Sequence, residues 1–87
     1  MNSKTTSGFW AQFERLPVEL QSLARKKYRV WQHEPFHPSL HFKEIVSDLW
    51  SVRVNAKYRA LARRKGDLVV WFWIGTHEEY ERLISNA

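Results

Sequence analysis

The sequence reads WSVRVNAKYRAL at residues 50–61 and LVVWFWI at residues 68–74, and these two segments decide the fold. In the first segment apolar and polar residues alternate. Trp50, Val52 and Val54 fall on one side of an extended chain and the residues between them on the other, polar side, which is expected to be free. The second segment is apolar at every position, as in a central strand that is covered on both faces. Both patterns predict β-structure.

The residues between and before these segments extend the sheet. Residues 55–57 predict a short turn, Tyr58 to Arg64 alternates again, and residues 65–67 predict a hairpin turn. The loosely alternating run from Leu40 to Val46 predicts a first strand of the main sheet. We therefore expect an antiparallel sheet that contains Leu49 to Gly75.

Helical spacing appears on both sides of this sheet. A short helix is predicted to begin at Ser7, and Pro17 suits the first turn of a second helix that ends near Gln32 or His33, before Pro35. The second helix carries a stripe of residues at steps of three and four. The stripe comprises Leu20, Leu23, Ala24, Lys27, Tyr28 and Trp31.

A last helix is predicted after the sheet. Thr76 is the predicted cap, with Glu79 as the partner of a capping box, and Tyr80, Leu83 and Ile84 form an apolar seam. The N-terminal helices cover only one face of the sheet, although residues 68–74 are apolar on both. The second face must be covered by the C-terminal helix, a dimer mate or another protein.

Length and composition indicate one small domain of the α+β class. The 87 residues leave room for a helical hairpin, a small antiparallel sheet and a short C-terminal helix in a single domain, 1–87. Residues 1–6 are expected to be flexible or to form a short edge strand. The absence of cysteine excludes disulfides and thiolate chemistry. No signal or membrane segment is recognisable, so we expect a cytoplasmic protein.

Charge is distributed unevenly along the chain. Residues 1–33 carry six basic and two acidic side chains, and residues 34–65 carry seven and three. Residues 66–87 reverse the balance, with one basic and four acidic. A net charge of +5 favours an anionic partner such as nucleic acid or an acidic protein. A merely soluble basic protein is the alternative.

Three histidines have a spacing that resembles a metal site. His33, His37 and His41 are four residues apart, but Pro35 and Pro38 exclude the continuous helix that this spacing requires. We expect structural or loop roles for them, with no metal. No glycine-rich phosphate loop or nucleophile elbow occurs, and no cofactor is predicted.

The arginines of the sheet are stronger candidates for function. The two-residue period places Arg53 on the polar side of its strand and groups Arg59 with Arg63 on the next one. If Arg53 and Arg59 share a face, their guanidinium groups form a phosphate clamp. Lys57, in the turn, and Arg63 extend this predicted phosphate-binding set. The alternative is that these charges are only the solvated side of the sheet.

Just beyond the last strand, His77 and Tyr80 are neighbours on the predicted helix, at positions i and i+3. An imidazole that titrates near neutrality beside a phenol suits proton transfer. The alternative is that Tyr80 belongs to the apolar seam and His77 only begins the helix.

The same residues resemble the RelE/ParE superfamily, the toxins of bacterial toxin–antitoxin systems. The resemblance runs from about Phe9 to Ile84, and it depends on the Arg-Val and Tyr-Arg strand pair and on a last strand that ends in Gly-x-His-x-x-Tyr. It implies a RelE-like fold. RelE-type members are ribosome-dependent mRNA endonucleases, so the resemblance also implies RNA cleavage that starts at a ribose 2′-hydroxyl.

In that family pattern Arg59 and Arg53 would hold the phosphate, and Arg59, His77 and Tyr80 would form the catalytic set. Ser51 stands where RelE has a strand lysine, and the ending is closer to HigB-type and YafQ-type members. The resemblance implies three macromolecular partners: an acidic, partly disordered antitoxin, mRNA and the ribosome. The ParE branch shares the scaffold but poisons DNA gyrase without cleaving RNA, and a non-toxic interaction module is a further alternative.

Overall fold

Two N-terminal helices, a five-stranded sheet and a C-terminal helix form three layers in a computed structural model that describes residues 1–85. The strands are β1 Asn2–Thr5, β2 Lys43–Val46, β3 Leu49–Arg53, β4 Tyr58–Lys65 and β5 Leu68–Thr76. The helices are α1 Ser7–Glu14, α2 Val18–His33 and α3 His77–Ser85, and a 3₁₀ turn spans Pro38–Leu40. The predicted α+β class is confirmed, with two N-terminal helices packed on the sheet and a short C-terminal helix. No helix within residues 1–85 is long and apolar enough to cross a membrane.

The strand order is β1-β5-β4-β3-β2, and the four strands from β2 to β5 are antiparallel to their neighbours. At the edge, β1 instead runs parallel to β5, with Asn2 opposite Leu68 and Thr5 opposite Trp71. Of the two expectations for residues 1–6, the short edge strand is the one present, and its parallel direction was not predicted. Because β1 covers its outer edge, β5 has a strand on each side, as its apolar sequence indicates.

The segment before β3 differs from the prediction. The first strand was expected from Leu40 to Val46, but β2 begins at Lys43. Leu40 ends the 3₁₀ turn and is fully buried, and His41 turns the chain with a left-handed φ of 46°. A residue in that conformation cannot continue an extended strand. By contrast, α1 begins at Ser7 as predicted, and Thr6 caps it, with its hydroxyl accepting the N–H of Phe9.

A first core lies between the N-terminal helices and one face of the sheet, which we call the first face. It is rich in aromatic rings: the Trp31 ring packs edge-on against Trp71 and Phe42, with centroids 5.4 and 5.8 Å apart. The buried members are Phe13, Trp31, Leu40, Phe42, Val52, Val54, Ala60, Ala62, Val69, Trp71 and Ile74. Three of them lie on β3 or β4, namely Val52, Ala60 and Ala62, and Val54 follows β3 at the next alternate position, so alternation in these strands selects the first face.

A second core lies on the opposite face, the second face, under α3. Leu49, Leu61 and Tyr80 are its buried members. The pairing of β4 with β5 shifts by one residue beside Leu61, so that Phe72 is extra in β5. As a result Phe72 and Trp73, although consecutive, both pack against the second core. The sequence analysis left three candidates for what covers the second face. Within the chain itself, this cover is α3.

Two details of this face correct the sequence analysis. The polar side of β3 was expected to be free, but Ser51 is only 3% exposed, opposite Leu61 in the register. Leu83 was expected in the apolar seam, but it is 46% exposed, whereas Tyr80 is buried and Ile84 packs against the second core. The helix meets the sheet along a narrower stripe than the sequence indicates.

The predicted capping box at the start of α3 is confirmed. The Thr76 hydroxyl accepts the N–H of Glu79 at 3.2 Å, and the Glu79 carboxylate accepts the N–H of Thr76 at 3.1 Å. The Thr76 hydroxyl also donates to this carboxylate, at 2.9 Å. The backbone hydrogen bond from Thr76, and then the hydroxyl, lower the pKa of Glu79. The strand therefore passes directly into the helix, and the position of His77 is fixed.

Two glycine substitutions test the packing at the junction of β5 and α3. One is at the junction itself, and the other, in α1, is its control. A Cβ on buried Gly75 would lie 2.6 Å from the Trp73 ring, whereas a Cβ on Gly8 in α1 would meet nothing closer than 3.7 Å. We expect Gly75→Ala to lower the free energy of unfolding by about 1–3 kcal/mol, because the packed ring has to move. Gly8→Ala should raise it by up to about 1 kcal/mol. Urea denaturation measures both, and equal effects would contradict the packing described here.

Candidate functional site

Strands β3 and β4 bring two arginines together. Arg53 and Arg59 are direct cross-strand partners, and both are partly buried. Val52 and Val54, on either side of Arg53, belong to the first core, so the two arginines point to the second face. Arg53 and Arg59 therefore share one face of the sheet, which is the condition for the phosphate clamp predicted from the sequence.

The guanidinium of Arg59 is held by backbone carbonyls of the loop between β3 and β4. Its Nη1 donates to the carbonyl oxygens of Asn55 and Tyr58, the latter at 3.0 Å. Burial, and then the like charge of Arg53, lower the pKa of Arg59, while Tyr80 and Glu81 act in the opposite direction. Arginine stays cationic at neutral pH nonetheless. The site therefore contains a fixed guanidinium next to a second one.

The same loop connects these arginines to α3. The Asn55 side-chain oxygen accepts the N–H groups of Lys57 and Tyr58, each at 2.9 Å, and shapes the turn. The Lys57 carbonyl then accepts the N–H of His77 at 2.7 Å. Loop and helix start are thus joined by a backbone hydrogen bond at the end of the sheet where Arg59 lies. We call Arg53, Lys57, Arg59, His77 and Tyr80 the second-face site.

Within this site the two proton-transfer candidates have different surroundings. The His77 side chain is 41% exposed, and its Nε2 lies 3.2 Å from the Glu81 carboxylate. Tyr80 is only 6% exposed and belongs to the second core, with its ring centroid 5.7 Å from that of His77. The imidazole is thus the more accessible group. Glu81 was missed by the sequence analysis, although an acid at i+4 from a helical histidine is a recognisable signal.

Arg63, also predicted to bind phosphate, lies apart from the other site residues. It is opposite Leu49 and Val70 in the register, and its guanidinium lies over the Phe72 ring at 5.7 Å. Arg63 lies four positions along β4 from Arg59, which corresponds to about 13 Å in an extended strand. The structure thus brings together five of the six predicted site residues and leaves Arg63 further along β4.

The three spaced histidines have local hydrogen bonds or a turn role. His33 Nδ1 lies 2.8 Å from the Arg29 carbonyl oxygen, and His37 Nδ1 contacts both the backbone N–H and the hydroxyl of Ser39. His41 is the left-handed residue before β2. Within residues 1–85, no group of three potential ligands is arranged to hold a metal ion.

The loop contacts of Arg59 lead to a prediction about local stability. Arg59→Ala removes two hydrogen bonds to the loop carbonyls, so amide hydrogen exchange should accelerate at Lys57, Tyr58 and His77. Amides of Val69 and Trp71, in the first core, should keep their protection. Exchange measured by NMR checks this, and unchanged rates at the loop would show that Arg59 does not hold it.

Comparison with known proteins places this arrangement in a family. The model of the ParE-like toxin domain family matches residues 19–82, while no curated protein sequence matches the chain. The YoeB/ParE toxin from Agrobacterium tumefaciens is similar in structure, with a TM-score of 0.69 and 19% identity over 88% of this chain and 99% of that one.

Two further solved structures share the fold. The RelB–RelE antitoxin–toxin complex from Methanococcus jannaschii matches with a TM-score of 0.73 and 12% identity, over 91% of this chain and 95% of that one. YafQ from E. coli strain BL21(DE3) matches with a TM-score of 0.69 and 10% identity, over 91% and 96%. These matches confirm the RelE/ParE superfamily resemblance, and the chain belongs to the ParE-like toxin domain family.

Proposed function

We propose that this protein is the toxin of a toxin–antitoxin pair and that it inhibits translation by cleaving mRNA. The observation that carries the proposal is the placement of Arg53 and Arg59 as cross-strand partners on the face where His77 begins α3. Within residues 1–85 neither arginine forms an ion pair with a carboxylate. Two cations without a carboxylate in direct contact favour an external anion, and RNA phosphate suits their planar donors.

The proposed reaction is a transesterification that uses the RNA's own 2′-hydroxyl. A base takes the proton from O2′, the oxygen attacks the adjacent phosphorus, and the bond from phosphorus to O5′ breaks as an acid protonates O5′. The products are a 2′,3′-cyclic phosphate and a free 5′-hydroxyl. Arg59, assisted by Arg53, would stabilise the additional negative charge on the phosphorane-like transition state. DNA lacks the 2′-hydroxyl and would be resistant.

The surroundings of His77 and Tyr80 suggest how the proton-transfer roles divide. His77 is accessible and adjoins the carboxylate of Glu81, which favours an imidazole acting as the base. Tyr80 is anchored in the second core beside it, so its phenol is the candidate acid for the leaving oxygen. Lys57 in the exposed loop, and Arg63 further along the sheet, would contact phosphates on either side of the cleaved bond.

An antitoxin is the proposed protein partner, and the ribosome the proposed place of action. Similar solved structures include toxin–antitoxin complexes from Methanococcus jannaschii and from Pyrococcus horikoshii OT3. The net charge of +5 suits an acidic antitoxin as well as ribosomal RNA. The cytoplasm, where mRNA is translated, is the corresponding compartment.

A gyrase-directed toxin without catalysis is the second candidate. The family model that matches is the ParE-like one, and two proposed catalytic groups already have partners within the chain. Arg59 donates to loop carbonyls, and His77 lies against Glu81. These contacts would suit a binding surface as well as a nuclease. The two candidates differ in what is damaged, mRNA or DNA.

Induced expression of the protein in bacteria, followed by primer extension on mRNA, tests the proposal. The wild-type chain should arrest growth and produce new 5′ ends, while Arg59→Ala or His77→Ala should reduce cleavage by about 100-fold or more. Arg15→Ala and His33→Ala, which change the same residue types outside the site, should cleave like wild type. Circular dichroism and thermal melting would verify that all four variants fold.

Two other outcomes would decide against RNA cleavage. Growth arrest with intact mRNA and an induced DNA-damage response, unaffected by His77→Gln, would support the gyrase candidate. Harmless expression without an antitoxin would instead indicate a non-toxic interaction module. Either result would overturn the endonuclease assignment and leave the family membership unchanged.

A further inference from the structure

A cavity of about 410 Å³ lies on the first face of the sheet, between β1, α1 and α2. Its inner walls are apolar and largely aromatic, with Phe9, Phe13, Trp31, Val52 and Trp71 among them. This volume falls in the range of sites that hold small organic molecules. The cavity is separate from the second-face site, because its strand residues alternate with Arg53 and Arg59 and point the other way.

The charged residues that line the cavity are all basic. Lys4, Arg25, Lys27 and Arg29 line it, and no lining residue is acidic. Arg25 lies over the Trp10 and Phe13 rings, at 5.5 and 5.0 Å from their centroids, so it is held over the aromatic wall. Within residues 1–85 none of the four cations forms an ion pair. An apolar interior lined by unpaired cations complements a molecule with an apolar body and a negative head group.

Lys27 makes this complementarity specific. It lies on the same stripe of α2 as Ala24 and Trp31, which both line the cavity, and it is partly buried. Its neighbour Lys26 is exposed and does not line the cavity. Within the described part of the chain no carboxylate pairs with Lys27, so its ammonium group is available to an anion.

Two tryptophan rings form part of the cavity wall, those of Trp31 and Trp71. Their indole N–H groups are buried and have no hydrogen-bond partner among residues 1–85. The two indole N–H signals therefore serve as probes of this side of the sheet.

From these observations we infer that the cavity binds a small amphipathic carboxylate, with its apolar chain against the aromatic wall and its carboxylate at Lys27 and Arg25. The binding would be independent of RNA cleavage, since it uses the opposite face of the sheet. It is also independent of toxicity, so this inference and the proposed function fail or succeed separately.

Decanoate is a suitable probe, with decanol as the uncharged control of equal chain length. Titration below the micelle-forming concentration should shift the indole N–H signals of Trp31 and Trp71 in NMR spectra and leave that of Trp73, on the second face, in place. Calorimetry should show that Lys27→Gln weakens decanoate binding about tenfold, because it removes a charge-assisted contact. Lys26→Gln should change binding less than twofold. Decanol should bind both variants equally.

A second pair of variants tests the apolar part. Ala24→Leu should fill the cavity and weaken both ligands at least tenfold, whereas Ala11→Leu, at an exposed position of α1, should leave binding as it is. Thermal melting shows whether each variant folds. The inference would be overturned if decanoate failed to bind, if Lys26→Gln and Lys27→Gln had equal effects, or if only the Trp73 signal moved.

Discussion

The antiparallel pairing of β4 with β5 determines which side chains face the helical hairpin and which face α3. Ala60 and Ala62 belong to the first core. Arg59 and Leu61, which alternate with them along β4, face the opposite side of the sheet. A shift of one residue would place a guanidinium in the first core, at a large cost in desolvation. The register is therefore well determined, and the extra residue at Phe72 turns two consecutive aromatic rings to the second face.

This arrangement gives the second face a buried apolar part and a cationic part. Leu49, Leu61 and Tyr80 hold α3 in place, and the cations lie at the end of the sheet where the helix begins. Ser51 is buried opposite Leu61, so a lysine there would have to reach past the second core. The absence of that lysine is consistent with phosphate binding being concentrated on Arg53 and Arg59.

Most of the local structure was predictable because its causes are local. Alternation, turn residues and the capping box depend on residues within a few positions of each other, and they predicted β3, β4, β5 and the start of α3. The parallel pairing of β1, the late start of β2 and the exposure of Leu83 depend on tertiary contacts. For the site, the two-residue period placed each arginine on one side of its own strand, and only the register of β3 and β4 shows that Arg53 and Arg59 share a face. Only the fold shows that Arg63 lies apart, whereas the i+4 spacing of Glu81 from His77 is already present in the sequence.

The central claim is that the arginine pair of the second face binds the RNA backbone. The most direct measurement is an NMR titration with a short RNA whose 2′-hydroxyl groups are methylated. Such an RNA can bind but cannot be cleaved, because the attacking hydroxyl is blocked. The account predicts that the side-chain Nε–H signals of Arg53 and Arg59 shift in a saturable way and those of Arg25 and Arg29, on the first face, remain in place. Shifts confined to Arg25 and Arg29, or no saturable shift at Arg53 and Arg59, would contradict it.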